Sequence, residues 1–164
     1  MRTGFLVLLL ALAAPAQDWP KPLTGTFLSP DGLLKAEVTA AGERERPESE
    51  SLVVVSLKDG TFLAKRDMSS QDHEHGDGVV QAQWTADSQF FVFCVDSSGG
   101  HSPMQTPVWF YSRKLSKFFV LDDLLHGSVG FAHFEVTAPD KVSVTLNSGK
   151  KWSGSLVELV GSKK

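Results

Sequence analysis

The amino-acid sequence predicts an all-β protein built from antiparallel, blade-like sheets, with few or no helices after its N-terminal segment. Short segments rich in β-branched and aromatic residues recur along the chain between turn residues, and no convincing run has the helical period. The turn signals are closely spaced, which is typical of neighbouring antiparallel strands. Eleven Phe and four Trp residues supply apolar surface of the kind that pleated cores bury.

The N-terminal segment has the pattern of a secretory signal peptide. Arg2 is followed by the apolar run Phe5–Ala14 and by the small-x-small site Ala14-Pro15-Ala16. We therefore expect a signal peptide at 1–16 and a single exported domain at 17–164, in the periplasm or the medium. The run is shorter than the roughly 20 apolar residues of a spanning helix, so no transmembrane segment is expected in the mature chain. No cysteine lies near the cleavage site to carry a lipid anchor.

Composition argues against a nucleic-acid-binding protein and against a disulfide-stabilised one. The formal net charge is −3 at pH 7, and no concentrated basic face is evident, so nucleic acid is not an expected partner. Cys94 is the single cysteine, which excludes an internal disulfide. Its neighbours Phe91, Val92, Phe93 and Val95 predict a small buried hydrophobe rather than a reactive thiolate.

Eleven strands are predicted between turn and loop signals. In chain order they cover 24–28, 33–39, 52–57, 61–66, 79–84, 89–95, 107–112, 117–121, 133–137, 141–146 and 154–159. The hairpin signals between them are Asp31-Gly32, Lys58-Asp59-Gly60, Asp87-Ser88, Arg113–Ser116 and Pro139-Asp140. Residues 41–51 and 69–78 are polar and are predicted to be solvated loops. One helical turn is expected at Leu121–Leu125.

Three turns recur at a regular spacing. They are Ser29-Pro30-Asp31-Gly32, Thr85-Ala86-Asp87-Ser88 and Ala138-Pro139-Asp140-Lys141, which start 56 and then 53 residues apart. A period of about 50 residues with four short strands per unit is typical of propeller blades. The expected units lie near 24–68, 79–125 and 131–160.

One stretch resembles a known family. The segment 84–93, followed by 108–113 and 117–121, is similar to a blade of the TolB-like, WD-type β-propellers, in which a Trp-Ser-Pro-Asp-Gly turn leads into the second strand. Ala86 stands in place of the usual Pro. Two to three units are too few to close a ring, since propellers typically have four or more blades. The resemblance therefore implies either a smaller, partial propeller-like or sandwich-like assembly, or a ring shared by several chains.

The connection 96–107 is the candidate binding element. It is longer than the roughly 2–5 residues of an ordinary hairpin loop, and such connections are often functional or disordered. Its glycines allow backbone conformations closed to other residues, and its prolines stiffen the chain toward the next strand. The residues expected to contact a ligand are Ser98, Gly99, Gly100, His101 and Ser102. The alternative is a surface turn whose hydroxyls satisfy local backbone groups.

Two acidic segments are further candidates. Within 72–77, the residues His73, His75 and Asp77 are candidate ligands of an unidentified metal, although the order matches neither an EF-hand nor a zincin helix, and a solvated acidic turn is the alternative. The pair Asp122 and Asp123 is expected to organise a turn by accepting backbone N–H groups. Paired carboxylates that share a catalytic proton are the other interpretation.

These features predict an exported, non-enzymatic module that binds another envelope or extracellular protein and needs no cofactor. The sequence contains no Gly-x-Ser-x-Gly elbow, P-loop or dinucleotide fingerprint. Two alternatives remain. One is a small metal-dependent or His/Asp-using hydrolase, and the other is a structural subunit of an envelope complex.

Overall fold

The structure is a computed structural model that describes residues 22–41, 50–71, 75–97 and 106–162. The predicted all-β class is confirmed, because these residues form eleven strands in three antiparallel sheets, with two short helices. Sheet I contains β1 (Gly25–Leu28), β2 (Leu34–Ala40), β3 (Ser51–Leu57) and β4 (Phe62–Asp67). Sheet II contains β5 (Asp77–Trp84), β6 (Phe90–Ser97), β7 (Val108–Ser112) and β8 (Lys117–Val120). Sheet III contains β9 (Val129–Thr137), β10 (Lys141–Leu146) and β11 (Lys151–Ser155).

The strand order within each sheet follows the chain. Sheets I and II run β1-β2-β3-β4 and β5-β6-β7-β8, and sheet III runs β11-β10-β9. The predicted helical turn is confirmed as α1 (Leu121–Leu125). The last predicted strand, 154–159, is wrong, because β11 ends at Ser155 and α2 (Leu156–Gly161) follows. Ser155 caps α2 by accepting a hydrogen bond from the backbone N–H of Glu158 at 3.2 Å, and Leu156 is fully buried.

Sheet II lies between the other two sheets and is buried on both faces. Along β6, Phe91 and Phe93 belong to the core shared with sheet I, whereas Val92 and Cys94 belong to the core shared with sheet III. This split follows from the two-residue alternation of a strand. Cys94 is fully buried, and burial raises the pKa of its thiol to about 12. The expectation that Cys94 is a small buried hydrophobe is confirmed.

The outer face of sheet I is more polar than the matching face of sheet II. One row of paired residues across sheet II consists of Trp84, Phe91, Tyr111 and Phe118. The matching row of sheet I consists of Leu28, Lys35, Ser56 and Phe62. In the next row Glu37 stands where sheet II has Phe93, and it forms an ion pair with Lys35 at 3.2 Å. Polar outer faces are what the end layers of a stacked repeat need in water.

The first two recurrent turns share one hydrogen-bond network. The Ser29 hydroxyl donates to Asp31 Oδ1 at 2.6 Å and accepts from the N–H of Leu34 at 2.9 Å. The Thr85 hydroxyl likewise donates to Asp87 Oδ1 at 2.6 Å and accepts from the N–H of Phe90 at 3.0 Å. Gly32 and Ser88 occupy the same place in the two turns, with φ of 68° and 61°. These turns are therefore two copies of one local structure.

The third turn is built differently. Lys141 pairs directly with Thr137, which leaves a three-residue connection in place of the six residues between Trp84 and Phe91. The Asp140 carboxylate accepts from the Ser155 hydroxyl at 2.5 Å and from the N–H of Val157 at 2.9 Å, so it anchors α2.

Successive turns are also bonded to one another at this end of the sheets. The N–H of Asp31 donates to the Ser88 hydroxyl at 3.0 Å, and the N–H of Asp87 donates to the carbonyl of Pro139 at 3.3 Å. Arg113 on sheet II forms an ion pair with the Asp31 carboxylate. The hydrogen bond from Ser29 and that ion pair hold the pKa of Asp31 at about 2. This end of the stack is cross-linked by short polar contacts.

Candidate functional site

The opposite end of sheets I and II carries the longest connections. It is defined by the ends of β2, β4 and β6 and the starts of β3, β5 and β7, and we call it the loop-bearing end. The predicted contact residues Ser98, Gly99, Gly100, His101 and Ser102 lie outside the described residues. The structure does place the residues that flank them, Ser97 at the end of β6 and Thr106 just before β7. Thr106 is buried.

A buried carboxylate sits at this end where a solvated loop was expected. Glu50 has no exposed surface and Ser51 is buried at the start of β3, so the expectation of a solvated 41–51 segment is wrong at these residues. The predicted solvated loop 69–78 is likewise wrong at its end, where Gly76 and Gly78 are buried and Asp77 begins β5. Glu50 Oε1 accepts hydrogen bonds from the Ser70 hydroxyl at 2.8 Å and from the N–H of Gly76 at 2.7 Å. A Cβ at position 76 would lie 2.5 Å from Glu50 Oε1 and from the Met68 carbonyl oxygen, so only glycine allows this approach.

Two aspartates on neighbouring strands extend the negative charge. Asp77 begins β5 and pairs with Ser97, while Asp96 pairs with Gly78 on the same ladder. Burial, together with the charges of Asp96 and Glu50, raises the pKa of the Asp77 carboxyl to about 6. Arg66 partly opposes this shift. The three carboxylates therefore form an acidic group, Glu50, Asp77 and Asp96, at the junction of sheets I and II.

An aromatic contact joins the same two sheets beside this group. Arg66 on β4 places its guanidinium carbon 4.1 Å from the centroid of the Trp109 ring on β7. The geometry is that of a cation–π interaction. The Arg66 guanidinium thus interacts with the Trp109 ring and also attracts the Asp77 carboxylate.

The candidate metal ligands are only partly placed. His73 lies outside the described residues. His75 is exposed, and its backbone N–H donates to the Ser70 hydroxyl at 3.0 Å. The charged neighbours of Asp77 are the carboxylates of Asp96 and Glu50 and the guanidinium of Arg66, and the structurally described part of the chain contains no group of three or more His, Cys, Asp or Glu residues arranged to hold a metal ion. The metal site therefore stays a sequence-based prediction.

Asp122 has the turn-organising contacts that the sequence predicted. Its Oδ1 accepts from the N–H of Val108 at 3.4 Å, and its Oδ2 accepts from the N–H of Val129 at 2.8 Å. These bonds connect the starts of β7 and β9 to α1. Burial is the main cause of the raised pKa of the Asp122 carboxyl, and the two backbone hydrogen bonds oppose it. Asp123 is exposed.

Sequence reasoning missed Glu50 and Asp96 as members of the acidic group. Glu50 stands in a run of charged residues that is typical of a solvated loop, and no local signal distinguishes it. Asp96 follows the apolar run 90–95 of β6, which is a common place for an acidic residue. Their proximity depends on the pairing of strands that are distant in sequence.

No family model matches the chain, and no curated protein shows significant sequence similarity to it. No helix among the residues that the structure describes is long and apolar enough to cross a membrane.

Proposed function

We propose that this protein is an exported, non-enzymatic interaction module made of blade-like units, and that it binds a positively charged segment of another envelope or extracellular protein at its loop-bearing end. The observation that carries the proposal is the acidic group of Glu50, Asp77 and Asp96. Its members lie at the junction of two sheets, next to the ends of the long connections. A rigid sheet scaffold that presents loops is a common arrangement for recognition.

The ionised form of Asp77 is unfavourable for stability in the free protein. The raised pKa of Asp77 means that its ionised form is less favourable in the folded chain than in water. Groups kept in such an environment occur more often at functional sites than elsewhere. Asp77 and Asp96 repel each other. A Lys or Arg side chain of a partner would supply a positive charge that attracts both carboxylates. Charge complementarity of this kind also accelerates association and fixes orientation.

The connection 98–105 would supply specificity in this proposal. It leaves β6 directly after Asp96 and Ser97, so a partner held by the acidic group would also meet His101 and its neighbours. Gly99 and Gly100 would allow the backbone path that presents them. The acidic group then provides attraction, and the loop provides the selection among basic partners.

Isothermal titration calorimetry with a Lys-rich peptide and a Glu-rich peptide of equal length tests this proposal. We expect only the Lys-rich peptide to bind. Its affinity should fall at higher salt, because salt screens exposed charges. Asp96→Asn should weaken binding by about tenfold, equivalent to about 1.4 kcal/mol. Glu37→Gln makes the same charge change on the outer face of sheet I and should leave the affinity unchanged. Equal effects of the two variants, or equal binding of both peptides, would contradict the proposal.

The double variant Gly100→Ala/His101→Ala tests the loop separately. We expect the Lys-rich peptide to bind it almost as well as the wild type, because the acidic group is intact. Capture of the natural partner from an envelope fraction should be lost. If capture is unchanged, the assignment of specificity to this loop is wrong.

A structural role in an envelope complex is favoured by one observation. Leu28, Leu33 and Phe62 are each more than half exposed on sheet I or at its turn end, with exposed fractions of 58%, 55% and 59%. Large exposed apolar side chains on one sheet often mark a contact with another subunit. Native mass spectrometry of the protein purified from its envelope fraction distinguishes this role, because it predicts a stable complex that Phe62→Ser disrupts.

A further inference from the structure

The outer face of sheet III is a candidate ligand-binding surface separate from the loop-bearing end. It contains a groove of about 410 Å³. The side chains that alternation places on this face are Phe131, His133 and Glu135 of β9, Ser143 and Thr145 of β10, and Lys151 and Ser153 of β11.

This face is not suited to packing against another sheet. The face of sheet II that packs on sheet III is built from Phe90, Val92, Cys94, Val108 and Phe110, all fully or nearly fully buried. A sheet laid on sheet III would instead remove Glu135 and Lys151 from water. Burying charges without excellent pairing costs several kcal/mol per ion. The natural occupant of the face is therefore something other than a further blade-like unit.

The combination of an exposed Phe131 ring and the groove around it distinguishes this surface from an ordinary solvated end layer. The Phe131 side chain is 65% exposed, the largest value among the exposed large hydrophobic side chains of the described residues. The groove places this ring among hydroxyl and charged groups on all three strands. The Ser143 hydroxyl donates to the Ser153 hydroxyl at 2.8 Å, so two of these hydroxyls are already oriented across neighbouring strands.

We propose that this groove binds a neutral saccharide, with a sugar ring packed on Phe131. A pyranose has a face of C–H groups, whose partial positive charge suits the negative face of an aromatic ring. Its hydroxyls both donate and accept, and they match the acceptor Glu135, the donor Lys151 and the Ser and Thr hydroxyls, which do both. The carboxylate of Glu135 and the ammonium of Lys151 balance each other, so neither an acidic nor a basic sugar is favoured.

A protein partner fits this groove less well. Stable protein interfaces bury about 800 Å² on each partner around an apolar centre rich in aromatic side chains. Among the described residues of sheet III, Phe131 is the one strongly exposed large apolar side chain, and besides the half-buried Trp152 and the buried Val144 the groove around it is lined by polar groups. Small-ligand sites, in contrast, combine an apolar contact with a few well-placed polar groups.

Amide chemical-shift mapping by NMR tests this inference on the whole mature protein. The probes are maltose, cellobiose and N,N′-diacetylchitobiose, at concentrations up to about 10 mM, which reveals millimolar dissociation constants. We expect at least one disaccharide to shift amides of β9, β10 and β11 and to leave the loop-bearing end unchanged. Phe131→Ala should weaken this binding by about tenfold or more. Phe62→Ala removes the other strongly exposed Phe, on sheet I, and should leave it unchanged.

Several outcomes overturn the inference. Absence of shifts in sheet III with all three sugars would do so, as would equal losses in the two Phe variants. Concentration-dependent shifts in sheet III without sugar would instead identify a contact between copies of the protein. None of these results bears on the Lys-rich peptide, whose binding tests the loop-bearing end on its own.

Discussion

The substitution Asp77→Asn should stabilise the protein at neutral pH and remove part of its pH dependence. The carboxyl has a pKa of about 6 in the folded protein and 3.8 as the ordinary value. Two pKa units correspond to about 3 kcal/mol. Asp77 is only half-buried, so solvent screening reduces the expected gain to about 1–2 kcal/mol. Asn keeps the size of the side chain and removes the charge that Asp96 and Glu50 repel.

Proton binding sets the sign of this pH dependence. Between pH 3.8 and about 6 the folded protein holds the Asp77 proton while the unfolded chain has lost it, so the wild type loses stability as the pH rises through this window. Below it the carboxyl is protonated in both states, and above it the full penalty remains. The advantage of the Asn variant should therefore be small at pH 4 and complete by pH 7.

Urea unfolding followed by tryptophan fluorescence at pH 4, 5, 6 and 7 measures this difference. Asp123→Asn makes the same change at an exposed position of α1 and serves as the control. A gain at pH 7 that is specific to position 77 and absent at pH 4 is the expected result. An Asn variant that is less stable than the wild type at pH 7, or a gain that does not change with pH, would refute the reasoning.

Three further predictions concern the scaffold. Thr85→Val should lower the free energy of unfolding by about 1–3 kcal/mol, because the buried N–H of Phe90 loses its acceptor. Thr39→Val, at an exposed site of β2, should leave the free energy of unfolding unchanged, and calorimetry of the two variants tests this difference. Ser155→Ala should cost about 0.5–2 kcal/mol through loss of the α2 cap and of the bond to Asp140, and chemical denaturation that finds no change would exclude this role. Cys94 should react with a thiol reagent only when the protein unfolds, and fast labelling of the native protein would contradict its burial.

Local patterns predicted the strands well where the whole signal lies within one segment. The uninterrupted apolar run of β6 is what a strand buried on both faces needs, and the polar turns on either side of it fix its limits. The similarity of the turns at Ser29 and Thr85 was also visible, because each places a hydroxyl two residues before an Asp. The third turn has Asp140 in the same place, but its carboxylate is engaged by α2.

Features that depend on distant contacts were not predictable. The segment after Gly154 contains β-forming residues, but Ser155 followed three residues later by Glu158 is an N-cap signal. Burial of Leu156 in the core stabilises the helix that this signal begins. Glu50 is buried because Ser70 and Gly76 supply its hydrogen bonds, and these residues are 20 and 26 positions away. The acidic group exists only because strand pairing brings its members together.

Chemical-shift mapping with the Lys-rich peptide tests the proposed function most directly. Binding at the loop-bearing end predicts shifts of the backbone amides of Glu50, Gly76, Asp77, Asp96 and Ser97, which shrink at high salt and shrink further in the Asp96→Asn variant. Shifts confined to sheet III or to the turn end of the stack, or no shifts at any peptide concentration up to about 10 mM, would contradict it.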